Sequence, residues 1–370
     1  MKLREIFIAL FSIILITSCS GSDDTPAPGD DGNGNGTLPP VNQSVKVEKI
    51  NSFTELPLTS IHFLNETTGY LVASKISNST TTSEIFKTID EGKTWERVFN
   101  SSFYIEKIKV LKPNLIVAIG LSGEIVISKD AGKTWNIDTI FTKRGIVLKD
   151  LTYDIHNEIY VVGYKEATQK GVIFLTWDEG ELWNEYTGDD EFKKIMENNM
   201  LSSVGYIKET DLMIFGGGLN NKGTLVTKYE SKYELMETKQ NIRYEDIACK
   251  DGTVMAVGNN KITNSDNELG GIFGIYSVHD WQIYDYNNNN RLTAAALGTG
   301  RSKNIIIVGR NKSNNLADGE FMSFSKDNGN NWKRINHEYV TAAWNDIEAL
   351  NDNTFIAIGY KGLLVRITIK

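Results

Sequence analysis

Cysteine is nearly missing from this sequence of 370 residues, which contains only Cys19 and Cys249. Two cysteines exclude a framework of several disulfides and a four-cysteine metal site. Cys249 lies in the apolar-flanked stretch IACKDG and is interpreted as a small buried hydrophobe. Only four histidines occur, far apart and without a metal-ligand spacing such as H-x-x-x-H. The sequence therefore predicts no metal site.

Basic residues are outnumbered, with 39 Lys and Arg against 47 Asp and Glu and a net charge of −8. Such a surface binds the phosphate backbone of nucleic acids poorly. A glycine-rich phosphate loop and a G-x-S-x-G elbow are also missing, so nucleotide binding and serine hydrolysis have no support. We expect no nucleic-acid partner and no cofactor.

Long hydrophobic runs are missing as well. The apolar stretch Ile6 to Ile16 is too short to cross a bilayer, and it follows Lys2 and Arg4 as in a secretory signal. The following ITSC resembles the bacterial lipobox, which implies a signal peptide over 1–18 and lipidation of Cys19. SGSDD after it resembles the acidic export tag of Bacteroidota surface lipoproteins. This resemblance implies an outer-membrane protein, lipid-anchored and facing the extracellular side.

Four of the six prolines and the tract GDDGNGNG fall within residues 19–44. Such a composition cannot bury apolar surface, so we interpret 19–44 as a flexible tether.

A repeat dominates the rest of the chain. Seven short apolar runs end at or near a glycine, and the last six of these glycines are 42 to 53 residues apart. The glycines are Gly69, Gly120, Gly163, Gly216, Gly258, Gly309 and Gly359. Each unit contains four strand-like runs rich in Val, Ile, Phe and Tyr. This period is typical of propeller blades.

The predicted fold is therefore all-β: a seven-bladed β-propeller over 45–370 with four-stranded antiparallel blades. The last unit ends in GLLVRITIK, a third strand without a fourth, and the propeller opens with SVKVEKINSF. We expect this N-terminal strand to pair into the last blade and close the ring, because an open ring exposes two strand edges.

An octet with the template S/T-x-D-x-G-x-x-W occurs four times, between the third and fourth strands of its units. Its Ser/Thr and Asp accept turn hydrogen bonds, its Gly tolerates positive φ, and its Trp opens the next strand. The template residues are Asp90, Gly92, Trp95; Asp130, Gly132, Trp135; Asp178, Gly180, Trp183; and Asp327, Gly329, Trp332. We expect a structural role for all of them.

The octet resembles the Asp-box (BNR repeat) of sialidase-like propellers, of sortilin-type receptors and of photosystem II assembly-factor-like propellers. In these families the box lies away from the active centre, which implies that the four aspartates are not catalytic. Sialidases also use an arginine triad, one member of which comes in an R-I-P-like triplet. This sequence has no such triplet.

Loops that join second to third strands, or one blade to the next, emerge on one face of a propeller, and variable loops there carry binding. Long polar stretches at these positions include SKISNSTTTS (74–83), YKEATQK (164–170) and RNKSNNLADG (310–319). Tyr164, Arg310 and Tyr339 are the candidate ligand-binding residues. The pair of acids in GDDEF (188–192) is interpreted as part of a solvated loop.

We expect a monomeric, surface-anchored lipoprotein propeller that acts as a non-catalytic binding or assembly scaffold for a protein or glycan partner. The alternative is a polysaccharide-active enzyme, a glycoside hydrolase or lyase of the sialidase-like superfamily. Two acids, or a His and a Tyr, that converge within ~10 Å at the funnel floor would favour the enzyme. No catalytic residue is assigned.

Overall fold

Nearly all the regular structure of the protein consists of β-strands. The computed structural model describes residues 44–370 except 79, 140, 143–144, 198, 220–221, 230–231, 241, 251, 262–268, 278–279, 287–289, 300–303, 312–320 and 341–342. The predicted signal peptide, lipidated Cys19 and tether lie outside the described residues. Among those described, no helix is long and apolar enough to span a bilayer.

The strands follow one another in sets of four, each forming one antiparallel sheet, called a blade and numbered along the chain. Blade 1 contains β2 (Leu58–Phe63), β3 (Gly69–Ser77), β4 (Thr80–Thr88) and β5 (Glu96–Ser101). Blade 2 contains β6 (Ile105–Lys112), β7 (Leu115–Gly120), β8 (Ile125–Ser128) and β9 (Asn136–Asp138). Blade 3 contains β10 (Ile146–Tyr153), β11 (Ile159–Lys165), β12 (Gly171–Thr176) and β13 (Asn184–Glu185).

Blade 4 contains β14 (Leu201–Ile207), β15 (Leu212–Leu219), β16 (Lys222–Tyr229) and β17 (Lys232–Gln240). Blade 5 contains β18 (Ile242–Lys250), β19 (Thr253–Lys261), β20 (Leu269–Ser277) and β21 (Asp280–Tyr286). Blade 6 contains β22 (Asn290–Leu297), β23 (Ile305–Asn311), β24 (Phe321–Ser325) and β25 (Lys333–Arg334). Blade 7 contains β26 (Trp344–Ala349), β27 (Thr354–Gly359), β28 (Leu364–Ile369) and β1 (Val45–Lys49).

The first strands of the blades surround one axis. Each of β2, β6, β10, β14, β18, β22 and β26 contacts the first strand of the blade on either side, and β26 contacts β2. The apolar cores lie between neighbouring blades; for example, Tyr70 and Val72 of blade 1 pack with Ile108 and Val126 of blade 2. The predicted all-β propeller with four-stranded antiparallel blades is confirmed.

The N-terminal strand is the outer strand of blade 7. β1 pairs antiparallel with β28, with Val45 opposite Ile369 and Lys49 opposite Val365. Val45 and Val47 are buried in the core shared with blade 6. Because β28 is a third strand, its C-terminal end lies on the same face as the turns between third and fourth strands. The chain therefore enters β1 from that face.

Each of the seven first strands carries a β-bulge at the same place. The bulge residues are Thr59, Glu106, Lys149, Ser202, Glu245, Thr293 and Asn345. In such a bulge two residues face a single partner residue, so the strand bends and re-aims its side chains. The bends point one polar side chain per blade toward the axis.

The recurrent glycine of the second strand pairs with the residue just before the bulge. A Cβ on Gly163 would lie 1.9 Å from the Val147 carbonyl oxygen, and one on Gly309 would lie 2.1 Å from that of Arg291. Two predicted positions differ. In blade 1 the equivalent residue is Ala73 rather than Gly69, and in blade 4 it is Gly217 rather than Gly216.

Two predicted loops are ordered elements instead. Within 74–83, β3 and β4 continue as a hairpin, and the Ser74 and Ser83 hydroxyls lie 2.7 Å apart in the interior. The GDDEF stretch begins the helix α1 (Asp190–Glu197), where the Asp189 carboxylate accepts a hydrogen bond from the Phe192 amide at 2.8 Å. Asp189 is therefore a helix N-cap. The buried side chain of Phe192 packs in the core between blades 3 and 4 and holds this segment in place.

Candidate functional site

The four octets form turns with one shared hydrogen-bond pattern. In the second octet, the Ser128 hydroxyl accepts from the Gly132 amide at 2.8 Å and donates to Asp130 at 2.9 Å. Asp130 in turn accepts from the Thr134 amide at 2.8 Å. The residue before each glycine has positive φ, as does the glycine itself. Trp183 differs from the other tryptophans because its indole N–H is buried without a partner among the described residues.

Each of the first three octets contacts the preceding blade. The Tyr70 hydroxyl of blade 1 donates to the Ala131 carbonyl at 2.7 Å, and a Cβ on Gly180 would lie 2.3 Å from Ile127 of blade 2. Hydrogen bonds from the Thr134 side chain and amide lower the pKa of Asp130 to about 2. These aspartates are held by hydrogen bonds within their own turns.

The candidate site is a cavity of about 580 Å³ at the opposite end of the axis, called the funnel. All seven bulge residues line it. Side chains from the ends of second strands and from the loops that follow them or join blades complete its wall: Lys75, Ile76, Tyr104, Leu121, Arg310 and Tyr360. The fold thus gathers residues spread over nearly 300 positions into one polar ring.

The funnel is basic although the chain is acidic. Among the described residues, five cations line it, Lys75, Lys107, Lys149, Arg291 and Arg310, against two carboxylates, Glu106 and Glu245. Both carboxylates are paired: Glu106 with Lys149, and Glu245 with Arg291 at 2.9 Å. The Asn259 amide also donates to Glu245 at 3.1 Å. The wall therefore offers surplus positive charge to a ligand.

Arg291 and Arg310 are the two side chains of this wall with incomplete hydrogen bonding. The Nε–H of each is buried and has no hydrogen-bond partner among the described residues. Burial and the neighbouring Arg291 guanidinium lower the pKa of Arg310, which lies beside Tyr360. A buried donor without an acceptor is costly. An anionic ligand in the funnel beside them would relieve the repulsion between the two guanidinium groups.

At the funnel floor, two carboxylates meet around one ammonium group. The Lys107 Nζ lies 3.3 Å from Asp346 and 4.0 Å from Asp246, so these acids do converge within ~10 Å. Asp346 also accepts from the Ile61 amide at 3.2 Å, and Asp246 from the Ala295 amide at 3.1 Å. Both therefore connect neighbouring blades as well as neutralising Lys107.

The three candidate ligand-binding residues fall at different places. Arg310 lines the funnel. Tyr164 is half-buried near the end of β11, opposite Val147, and is not among the residues that line the funnel. Tyr339 packs against the core between blades 6 and 7, with its ring 5.0 Å from that of His337.

Cys249 is not among the described residues that line the funnel. Burial raises the pKa of the Cys249 thiol to about 12, in keeping with an inert, hydrophobe-like cysteine. The described residues contain no group of three or more His, Cys, Asp or Glu side chains placed to hold a metal ion.

The bulge ring was missed by the sequence reasoning, although a signal for it exists. Five of the seven first strands share a short pattern of a bulky apolar residue, a polar residue, Asp or Ser, and an aliphatic residue. It reads LTSI in β2, YEDI in β18 and WNDI in β26. The polar residue is the bulge residue, and the Asp or Ser bonds to the next blade.

No family model matches the sequence, and no match to a curated protein is found. Solved structures resemble the fold at low identity. A structure described as YCF48 bound to D1 peptide has a TM-score of 0.61 and 13% identity, covering 89% of this chain and 96% of that one. YCF48 from Cyanidioschyzon merolae has a TM-score of 0.61 and 16% identity, covering 87% and 98%.

A GH74 xyloglucanase from Xanthomonas campestris also has a TM-score of 0.61, with 10% identity, and covers 87% of this chain and 53% of its own. Identities this low show the propeller fold alone. The neighbours include one protein bound to a peptide and one glycoside hydrolase, and the fold does not decide between the two.

Proposed function

We propose that this chain is a non-catalytic binding scaffold that holds a protein partner at the funnel through an acidic segment of that partner. The neighbouring guanidinium groups of Arg291 and Arg310 in a basic wall are the observation that carries the proposal. Guanidinium groups are the side chains best suited to bind carboxylates. The peptide bound to YCF48 supports peptide binding by a propeller of this kind.

The acids of the funnel support a non-catalytic role. A glycosidase needs one carboxyl group free to protonate the leaving oxygen and a second free to act as base or nucleophile. Glu106 and Glu245 are paired with cations, and Asp246 and Asp346 bind Lys107 and backbone amides. The convergence of Asp246 and Asp346 nevertheless favours a polysaccharide-active enzyme as the second candidate.

The test compares peptide and glycan binding by the wild-type chain and the Arg310→Gln variant. We expect the wild type to enrich acidic peptides from an array, and R310Q to bind them roughly tenfold or more weakly, because a charge-assisted hydrogen bond is lost. Arg97→Gln is the matched control, since Arg97 lies on the outer strand β5 and is paired with Glu84.

Equal binding by R310Q and wild type would contradict the funnel as the peptide site. Glycan binding without peptide binding would move the proposal to a glycan scaffold. Release of reducing ends from a polysaccharide by the wild type, abolished by Asp246→Asn, would establish the enzyme instead.

We further propose a monomeric ring of seven blades closed by β1 and anchored to the outer membrane through Cys19. Val45 pairs with Ile369 at the octet face, opposite the funnel. Retention of a Cys19→Ser chain in the membrane fraction would contradict the anchor.

A further inference from the structure

A second cavity lies on the axis, on the octet side of Lys107. This lower cavity has a volume of about 220 Å³ and is separate from the funnel, although Lys107 lines both. Water occupies roughly 30 Å³ per molecule, so the space suits an occupant of a few heavy atoms. It is far too small for a polymer or a folded partner.

The lower cavity has two unlike walls, built from one register position of the seven first strands. On one side the position holds small residues, Gly205, Ala248 and Ala296 of blades 4, 5 and 6. On the other side it holds polar residues, Glu348, His62, Lys109 and Thr152 of blades 7, 1, 2 and 3. The small side chains leave the cavity unfilled, and the long polar side chains line it.

At neutral pH the polar wall presents hydrogen-bond donors. The His62 Nδ1 accepts a hydrogen bond from the Val110 amide at 3.2 Å, which leaves the proton of the neutral ring on Nε2. Burial and the nearby Lys109 and Lys107 hold the pKa of His62 well below its usual value. Burial raises the pKa of Glu348 to about 8, against the effect of Lys109, so this carboxyl group is protonated near pH 7.

Lys109 is the uncompensated charge of this wall. Lys107 is paired with Asp346 and Asp246, and Lys250, which also lines the cavity, has an interaction partner of its own. Lys109, by contrast, forms no ion pair within the part of the chain that the structure describes. The Glu348 carboxyl group on the same wall is neutral near pH 7. An ammonium group without a paired carboxylate, an imidazole N–H and a carboxyl O–H therefore line a small space.

We propose that the lower cavity is a binding site for a small monocarboxylate, held by Lys109, His62 and Glu348. A single unpaired ammonium group, that of Lys109, favours a monovalent anion over a dicarboxylate. Three donors match the lone pairs of one carboxylate group. The alanine and glycine wall accepts a short aliphatic tail. This site is independent of partner binding at the funnel.

Binding at this site depends on pH through Glu348. The charged groups around the cavity are Lys107 and Lys109 on β6, Asp246 and Lys250 on β18 and Asp346 on the same strand as Glu348, with the neutral His62 on β2. A bound carboxylate accepts a hydrogen bond only from the protonated form of Glu348 and is repelled by the ionised form. Affinity is therefore highest at low pH and falls as the pH rises through about 8.

The experiment measures binding of ¹³C-labelled acetate and butyrate to the full chain by ligand-detected NMR at pH 6.5 and pH 9.5. We expect saturable binding that is roughly tenfold weaker at the higher pH. Lys109→Gln should weaken binding roughly tenfold or more at pH 6.5. Glu348→Gln should keep binding but lose most of the pH dependence, because its amide is a donor at every pH.

Ala248→Leu should abolish binding by filling the apolar wall without changing any charge. Ala296→Val fills the same wall from another blade and serves as the second variant if A248L does not fold. Lys112→Gln is the matched control, because Lys112 is on the same strand as Lys109 but is paired with Glu179 outside the cavity. This variant should bind like the wild type.

Several outcomes would overturn the proposal. These are no saturable binding of either probe at pH 6.5, unchanged binding by K109Q, unchanged binding by a folded cavity-filling variant, or equal competition by chloride. Peptide binding at the funnel is measured separately with R310Q. Failure of one proposal is therefore distinguishable from failure of the other.

Discussion

The aspartates of the octets act by accepting hydrogen bonds within their own turns. Asp130 accepts from the Thr134 amide and hydroxyl at 2.8 and 2.6 Å, and from the Ser128 hydroxyl at 2.9 Å. These bonds favour the ionised form, which explains a pKa of about 2 for a solvent-exposed carboxylate. The same pattern lowers the pKa of Asp90, Asp178 and Asp327.

The first prediction concerns the thermal stability of the Asp130→Asn variant at neutral and acidic pH. A folded-state pKa below the unfolded value of 3.8 adds stability above about pH 4 that is lost as the pH falls toward 2. We expect D130N to lower the melting temperature at pH 7, with the gap to wild type narrowing between pH 4 and pH 2. Thermal denaturation followed by circular dichroism measures both gaps.

Asp190→Asn is the control for that series, because the Asp190 side chain is 91% exposed at the start of α1. Its effect should be small at both pH values. A D130N effect that is the same at pH 7 and pH 2 would show that the Asp130 charge does not stabilise the turn.

At the level of strands, the repeating feature is a bulge on the first strand facing a glycine on the second. The bulge brings the backbone of the first strand so close to the second that a Cβ on Gly163 would overlap the Val147 carbonyl oxygen. Blade 1 tolerates Ala73 at the equivalent position. The glycine is thus needed where the approach is closest, and the approach varies between blades.

The second prediction is that Gly163→Ala lowers the free energy of unfolding by about 1–3 kcal/mol, because a backbone carbonyl cannot move away cheaply. Ala73→Gly is the reciprocal control and should cost only about 0.5–1 kcal/mol, the usual effect of glycine within a strand. Urea denaturation measures both. A G163A variant as stable as wild type would mean that the bulge relaxes around the added methyl group.

Much of this architecture was predictable at the level of strands, and little of the site was. Apolar runs and octets recur along the chain, and each reports on local backbone geometry, so fold class and blade composition followed from them. In blades 1 and 4 the residue that pairs with the position before the bulge is not the predicted glycine, Gly69 or Gly216, but Ala73 or Gly217. Local patterns alone do not show which residue faces a bulge.

The funnel and the lower cavity depend on distances that no local pattern encodes. Each of their rings takes one side chain from every first strand, so partners such as Lys107 and Asp346 are 239 positions apart. Arg310 was selected because it follows a strand at the loop-rich face, and it does line the funnel. Glu348, Lys109 and His62 gave no signal, because single charged residues in a strand are common.

At the scale of the whole molecule, the ring brings the two ends of the described chain together. β1 covers the edge of β28, and its two buried valines fill the core between blades 6 and 7. An uncovered β28 would present unpaired amides and carbonyls to other chains. Blade 7 is therefore the one blade whose stability depends on residues from both ends of the propeller.

The third prediction tests this dependence with Val47→Ser, which exchanges a side chain of 6% exposure for a polar one. We expect a loss of about 1.5–3 kcal/mol in the free energy of unfolding. Hydrogen exchange should show that amides of Leu364–Ile369 lose protection before those of Gly69–Ser77, since blade 7 opens locally first.

Lys46→Ser, on the exposed face of the same strand as Val47, is the control and should change stability by less than about 0.5 kcal/mol. Equal hydrogen-exchange protection of β28 and β3 in V47S would mean that the propeller unfolds as one unit and that blade 7 does not open first.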